Sequence, residues 1–173
     1  MFHELDHFLF LWDLEARNTM KLLKDIPDAA LSQEVAAGHR DIRKLSWHLV
    51  ISFSEMMGRA DLPLGGPDYS SAIPGSSHDI REAFREISTK LVESLKANWQ
   101  ADTLQEEKEI YGRTMKKGFV LYILLAHLIH HRGQMTVLMR QAGLAVPGLY
   151  GPSLNEWESM GMKSPDEFMG KAV

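Results

Sequence analysis

The sequence predicts an all-α protein, a four-helix bundle in one domain spanning residues 1–173. Two observations carry this reading. Four long stretches repeat apolar residues at three- and four-residue intervals, and no stretch carries a strong strand signal to compete with them. The chain of 173 residues is of ordinary single-domain size, where about two-thirds of the unfolded surface becomes buried. No internal repeat is visible.

The first helix is expected from about His3 to Lys24, with Leu5, Phe8, Leu9, Trp12, Ala16, Met20 and Leu23 as its stripe. Pro27 stops it, because the residue before a proline is pushed out of the helical region. The second runs from about Asp41 to Arg59 on Ile42, Leu45, Leu49, Phe53 and Met56. Residues 62–77 are dominated by Pro, Gly and Ser and predict a loop without a helix of its own. Connections of that length often serve as lids or partner contacts, with a plain connector as the equal alternative. The third helix starts after Ser76-Ser77, either of which can cap it. Asp79 in the first turn suits the helix dipole. It continues to about Trp99, with Ile80, Phe84, Ile87, Leu91 and Leu95 inward. Asp102 to Thr114 is polar and mixed, either a short extended pair or irregular. The fourth helix runs from about Lys117 to Ala142, with Gly143 as its C-terminal cap. Its first half is apolar nearly all round, which marks it as the most buried. In the Pro- and Gly-rich tail, Ser153-Leu-Asn-Glu156 can open a short helix through Met160.

Composition narrows the function classes. The formal charge is −4 and the basic residues are scattered, Lys116-Lys117 being the densest exposed pair. Nucleic-acid binders carry a basic stripe, so no nucleic-acid partner is expected. The longest apolar run, Phe119 to Ile129, is about half the length of a membrane span, so no membrane partner is expected either. Cysteine is absent, which removes disulfides, thiolate ligands and cysteine nucleophiles together. The first residues lack the basic and apolar regions of a signal peptide. A cytoplasmic location is the expectation.

Eight histidines are present, and three stand out physically. His127 and His131 are four apart, which places them about 40° apart around a helix and ~6 Å along it. Their stripe reads Val120, Leu124, His127, His131, Met135, Leu138, so both face the core. Two imidazoles on one buried stripe require polar partners or a metal. The competing reading is a pair of core histidines bonded to carbonyls or carboxylates. His48, beside Leu45, Leu49 and Ser52 on the inward side of the second helix, supplies a third ligand. Three histidines leave coordination positions open, the pattern of a catalytic site. An all-nitrogen set suits Zn, Ni, Cu or Fe and disfavours Ca or Mg. His130 lies on the flank and is expected behind the ligands or against a neighbouring helix. His3 and His7 repeat the spacing at a fraying terminus and read as surface.

The segment His127-Leu-Ile-His-His-Arg-Gly-Gln-Met135 resembles the H-x-x-x-H-R-G-Q signature of the DinB family. Upstream, Ile42-Arg-Lys-Leu-Ser-Trp-His-Leu-Val50 is similar to its W-H-L segment. Downstream, Leu138 to Ser153 resembles its L-x-R-x-x-G-x-x-V-P ending with the following Tyr-Gly-Pro. The resemblance implies an up-down-down-up bundle, often dimeric, with a three-histidine divalent metal site that falls on His48, His127 and His131, zinc or nickel being the first choices. Members of the family it resembles include thiol S-transferases using bacillithiol or mycothiol, and a mycothiol-dependent maleylpyruvate isomerase.

The resulting expectation is a metal-dependent enzyme that activates a thiol or water on a small-molecule substrate, with a low-molecular-weight thiol as a candidate partner. The alternative is a non-catalytic metal-binding stress-response or ligand-binding protein. Catalytic residues beyond the metal are not assigned. Glu55, two turns along from His48, is a candidate base, with a solvent-facing helix position as the plainer alternative. Tyr122 and Trp47 are candidates for pocket lining, with core packing preferred for both. Arg132 is expected to point away from the ligands and pair with a carboxylate, and Gln134 to bond a partner behind a ligand, with an exposed position as the equal alternative. Gly133, which costs a helix about 1 kcal/mol relative to Ala, implies close approach of another helix. Ten methionines and surplus apolar faces predict a homodimer.

Overall fold

The computed structural model describes residues 1–167 and Met169. Helix α1 (Leu5–Lys24), α2 (Ile42–Arg59), α3 (Ser77–Asn98) and α5 (Lys117–Gln141) form the bundle. A five-residue α4 (Ala101–Gln105), strands β1 (Glu107–Ile110) and β2 (Arg113–Lys116), and a short α6 (Leu154–Trp157) complete the named elements.

Three contacts fix the helix directions. The Phe2 amide donates to the Gly118 carbonyl at 3.2 Å, so α1 and α5 start at the same end and run parallel. Asp28, just past α1, accepts from the Ser77 amide at 2.7 Å, so α3 begins where α1 finishes and runs antiparallel to it. His48 meets His127 while Ser46 meets Met135, so α2 runs antiparallel to α5. The order is therefore up-down-down-up. Helices α1 and α2 each pack against both α3 and α5 and occupy opposite corners of the bundle.

Every stripe residue assigned to α2 and α3 is buried. An aromatic chain crosses the centre: Phe8 on Trp12 at 5.6 Å, Trp12 on Phe53 at 5.0 Å, Phe53 on Phe84 at 5.6 Å between ring centroids. Trp12 satisfies its indole N–H on Ser88 Oγ at 3.0 Å, which ties α1 to α3 without leaving a buried donor unpaired. The cap of α3 is Ser76, whose hydroxyl accepts from the Asp79 amide at 3.1 Å, and Gly143 takes φ +73° just past α5.

Residues 101–116 resolve the ambiguity left by the sequence: α4, then a hairpin pairing Ile110 with Arg113. Its two-residue turn holds Tyr111 at φ 54° and Gly112 at φ 71°. Positive φ at both central positions is the twist-matching hairpin geometry, one that a tyrosine adopts only under some strain.

Two expectations are corrected. Gly133 has nothing within 4 Å of where a Cβ would stand, so no helix among the described residues approaches it. Tyr122 is 48% exposed and stacks on Phe119, on the solvent side of α5. It is neither on the lining of the cleft beside the histidines nor packed in the core, because it sits about 140° around the helix from His127. Trp47 is buried in the core, as packing rather than pocket lining.

Candidate metal centre

Antiparallel packing of α2 on α5 brings His48 level with the His127–His131 pair. One nitrogen from each of the three rings lies within 4.8 Å of the others. His48 Nε2 and His127 Nε2 are 3.1 Å apart. Two nitrogens on a tetrahedral zinc at ~2.0–2.1 Å would be about 3.3 Å apart. The rings meet edge to face, with centroids at 5.1, 4.7 and 4.3 Å.

The local protein holds these rings in place. Ser52, one turn after His48, donates its hydroxyl to the His48 carbonyl at 2.5 Å and lies 3.2 Å from His127 Nε2. Gln134 Oε1 lies 2.7 Å from His131 Nδ1, an acceptor that puts the proton on Nδ1 and frees Nε2 as a ligand. The same amide reaches His130 Nε2 at 3.1 Å through its nitrogen. His130 is thus exposed and supports the site through Gln134. Partners of this kind set ring orientation and tautomer at histidine metal sites.

Electrostatics keep the rings neutral. Burial pushes His48 down to about 4, helped by the charges of Arg40 and the other two imidazoles. Burial pushes His127 to about 4 as well, with His131, His130 and Arg40 contributing. His131 is lowered chiefly by burial, against the Gln134 bond that raises it. Imidazoles must be neutral to ligate, so this environment favours metal binding near neutral pH. The three donors therefore fit a borderline-soft divalent ion. They do not suit Ca or Mg, which take oxygen ligands.

The rim is built by loops. Tyr69, from the connection between α2 and α3, faces His48 with ring centroids 6.4 Å apart. Val35, His39 and Arg40, from the connection before α2, join Leu45, His131, Gln134, Val137 and Leu138 around a cleft of about 480 Å³. Glu55 is committed: its carboxylate accepts from Arg59 and from the Tyr111 hydroxyl. It is therefore part of an ion pair and hydrogen-bond cluster, and not a free base. Arg40 and Tyr69 were missed by sequence reasoning, because loop residues carry no periodic signal.

Comparison with known proteins agrees with the fold. The DinB family model matches residues 1–167. The chain belongs to the DinB family. A relative in Bacillus subtilis (strain 168), an uncharacterized protein called YrdA, is 41% identical over 165 residues, covering 95% of this chain and 99% of that one. A DinB-like protein from Bacillus cereus ATCC 10987 superposes with a TM-score of 0.83 at 37% identity, over 87% of this chain and all of the other. The DinB-like YjoA of Bacillus subtilis, at 19% identity and a TM-score of 0.66, covers 83% of this chain and 96% of its own; it shares the fold. Among the described residues, no helix of this DinB protein is long and apolar enough to cross a membrane.

The Arg132-Gly133-Gln134 segment that follows His131 splits by direction. Gln134 serves the histidines. Arg132 points to the opposite side of α5, where its guanidinium is 1% exposed and pairs with Glu15 of α1. The Arg132 pairing agrees with the sequence-based expectation, whereas Gln134 is exposed and bonds His131 itself rather than a partner behind it.

Proposed function

We propose that this DinB protein holds one divalent transition-metal ion, zinc or nickel, on His48, His127 and His131, and works as a metal-dependent enzyme of the thiol S-transferase type on a small molecule. The observation that carries the reading is the convergence of three neutral imidazoles from two antiparallel helices within 4.8 Å. A bound ion supplies Lewis acidity there, lowering the pKa of a thiol or water so that a nucleophile exists near neutral pH. The chain's own residues orient and shelter that centre. Gln134 fixes the His131 tautomer, Ser52 sits against His127, and Tyr69 covers the His48 side. With no cysteine in the chain, a reacting thiol must arrive with the substrate, and a reducing cytoplasm is the setting in which such thiols persist.

The test has two stages. Native mass spectrometry should find one metal per chain in the wild type, and none in the His127→Ala, His131→Ala double variant. Metal-loaded protein is then offered low-molecular-weight thiols with an electrophile panel, and ester and amide substrates. Turnover by the wild type alone supports the enzyme. Stoichiometric metal without any turnover favours the second reading, a metal-binding protein that sequesters a ligand, which the accessible cleft beside the histidines would also serve.

Assembly as a homodimer is part of the proposal. On the solvent side of α1 and α5, Phe10, Leu14, Phe119, Tyr122 and Ile129 are exposed. On α5 these alternate three and four apart with Ala126 and open-faced Gly133. Such a seam suits a helix of a second copy, and Gly133 is where that helix could come closest. Light scattering should give twice the chain mass for the wild type and the chain mass for Ile129→Glu; a monomeric wild type at high concentration contradicts it.

A further inference from the structure

The cleft beside the triad has a one-sided chemistry. Its apolar wall is Val35, Leu45, Val137 and Leu138, and His131 opens it to the histidine centre. At about 480 Å³ it falls within the usual range for a small-molecule site. None of its lining residues is acidic. Arg40, on that lining, is exposed and has no carboxylate partner among the described residues. Its charge nevertheless reaches all three imidazoles. A divalent ion on the histidines would add two more positive charges beside this guanidinium, with no acid on the cleft wall to offset them. In a chain of net charge −4 this is a local excess of positive charge along the cleft wall; the acids nearest in sequence, Glu34 and Asp41, are not on that lining, and Asp41 is engaged as the cap of α2.

We infer that the cleft takes a small carboxylate with an apolar body, the carboxylate on the Arg40 fork and the body along the Val137–Leu138 and Leu45 wall. The planar guanidinium matches a carboxylate with two parallel hydrogen bonds, which a neutral amide cannot reproduce. Seated this way, the rest of the molecule extends toward His131. The inference rests on the metal-enzyme reading for its functional meaning, since it names the class of substrate that site would receive. Its physical content, an Arg40-dependent preference for carboxylates, does not need the metal.

The experiment is isothermal titration calorimetry with 4-phenylbutanoate and its neutral isostere 4-phenylbutanamide. It uses wild type and Arg40→Gln, each zinc-loaded and metal-free. The wild type should bind the acid about tenfold tighter than the amide, the equivalent of one charge-assisted hydrogen bond. Arg40→Gln should bring the two within about twofold, with amide affinity and zinc content unchanged. Equal affinities in the wild type overturn the inference. So does a preference retained in Arg40→Gln, including one seen only in the zinc-loaded form, which would place the carboxylate on the metal. Because Arg40 is exposed, the substitution spares the core, and circular dichroism checks this. If mass spectrometry finds no bound zinc, the metal reading falls separately and the metal-free titrations decide the role of Arg40 by the same criterion.

Discussion

Arg132 offers the sharpest test of how the family signature divides between structure and site. Its guanidinium donates to the Glu15 carbonyl at 3.0 Å, to Thr19 Oγ1 at 3.2 Å, to the Glu15 carboxylate and to the Tyr150 hydroxyl. Tyr150 in turn donates to Glu15 at 2.7 Å. The two charged side chains are 1% and 5% exposed, so water cannot replace a lost partner. Arg132→Met keeps most of the stem volume and strands the Glu15 carboxylate. Removing one member of a buried pair costs about 3–5 kcal/mol. At roughly 2–4 °C per kcal/mol for a chain of this size, that is a fall in Tm of about 6–20 °C. The assay is differential scanning calorimetry on wild type, Arg132→Met, Glu15→Leu and the double variant. The double variant should recover most of the loss, because an apolar replacement of a whole buried pair is close to neutral. Metal content should stay at the wild-type level, since Arg132 faces α1 while His127 and His131 face α2. A single variant that loses under ~1 kcal/mol, or a double variant as unstable as the single, would refute the reasoning.

Three further outcomes follow from the same geometry. Gln134→Leu removes the acceptor on His131 Nδ1 and should weaken zinc binding by about 10–100-fold in a chelator competition; a change under twofold would contradict the orienting role. The stability of the metal-free protein should depend on pH through His48 and His127, both held near 4. The unfolded chain protonates these rings near pH ~6.5, so between that value and 4 protons bind the unfolded state preferentially. Stability is complete above about 6.5 and is lost as pH falls toward 4. Urea midpoints at pH 7.5, 6 and 5 should therefore decline, and decline less in His48→Gln. Phe53→Ala, at the fully buried crossing of Trp12 and Phe84, should cost about 3–5 kcal/mol by urea denaturation while leaving the histidine cluster able to take up zinc.

The bundle was legible because burial imposes a period on each helix, and a period survives in sequence. The same logic selected the histidines: His127 and His131 interrupt an otherwise apolar stripe, and His48 does so on α2. What hid from the sequence was whatever had no period. The strands Glu107–Ile110 and Arg113–Lys116 are mostly polar, with only Ile110 fully buried, so no alternation announces them. Their turn uses Tyr-Gly rather than the Asn-Gly or Asp-Gly that usually signals this geometry. The Tyr111 hydroxyl on Glu55 and its ring under Arg59 at 4.8 Å help hold a residue that the turn itself disfavours. Gly133 misled for a different reason. It sits on an exposed face of α5 with open space where a Cβ would stand, and a helix tolerates an exposed glycine at a cost of about 1 kcal/mol, so the residue type alone does not report a neighbouring helix.

The helix order explains why the site has a rim at all. With α2 and α3 both running down, the chain leaving α2 must travel back along the bundle before α3 can begin. That return segment, residues 60–76, carries Tyr69 past His48. It is held down on the way, where a side chain at Gly66 would collide with Ser54 and Ile87. An up-down-up-down bundle could join the same helices with short turns and would leave the histidines on a bare seam. The long connection before α2 does the corresponding work on the other flank, bringing Val35 and Arg40 beside His131. Helix periodicity thus places the three imidazoles, while topology supplies the loops that decide what reaches them. If the cluster works as proposed, ligand choice in this chain should accordingly follow residues 35–40 and Tyr69 more than the helices, which carry the three imidazoles.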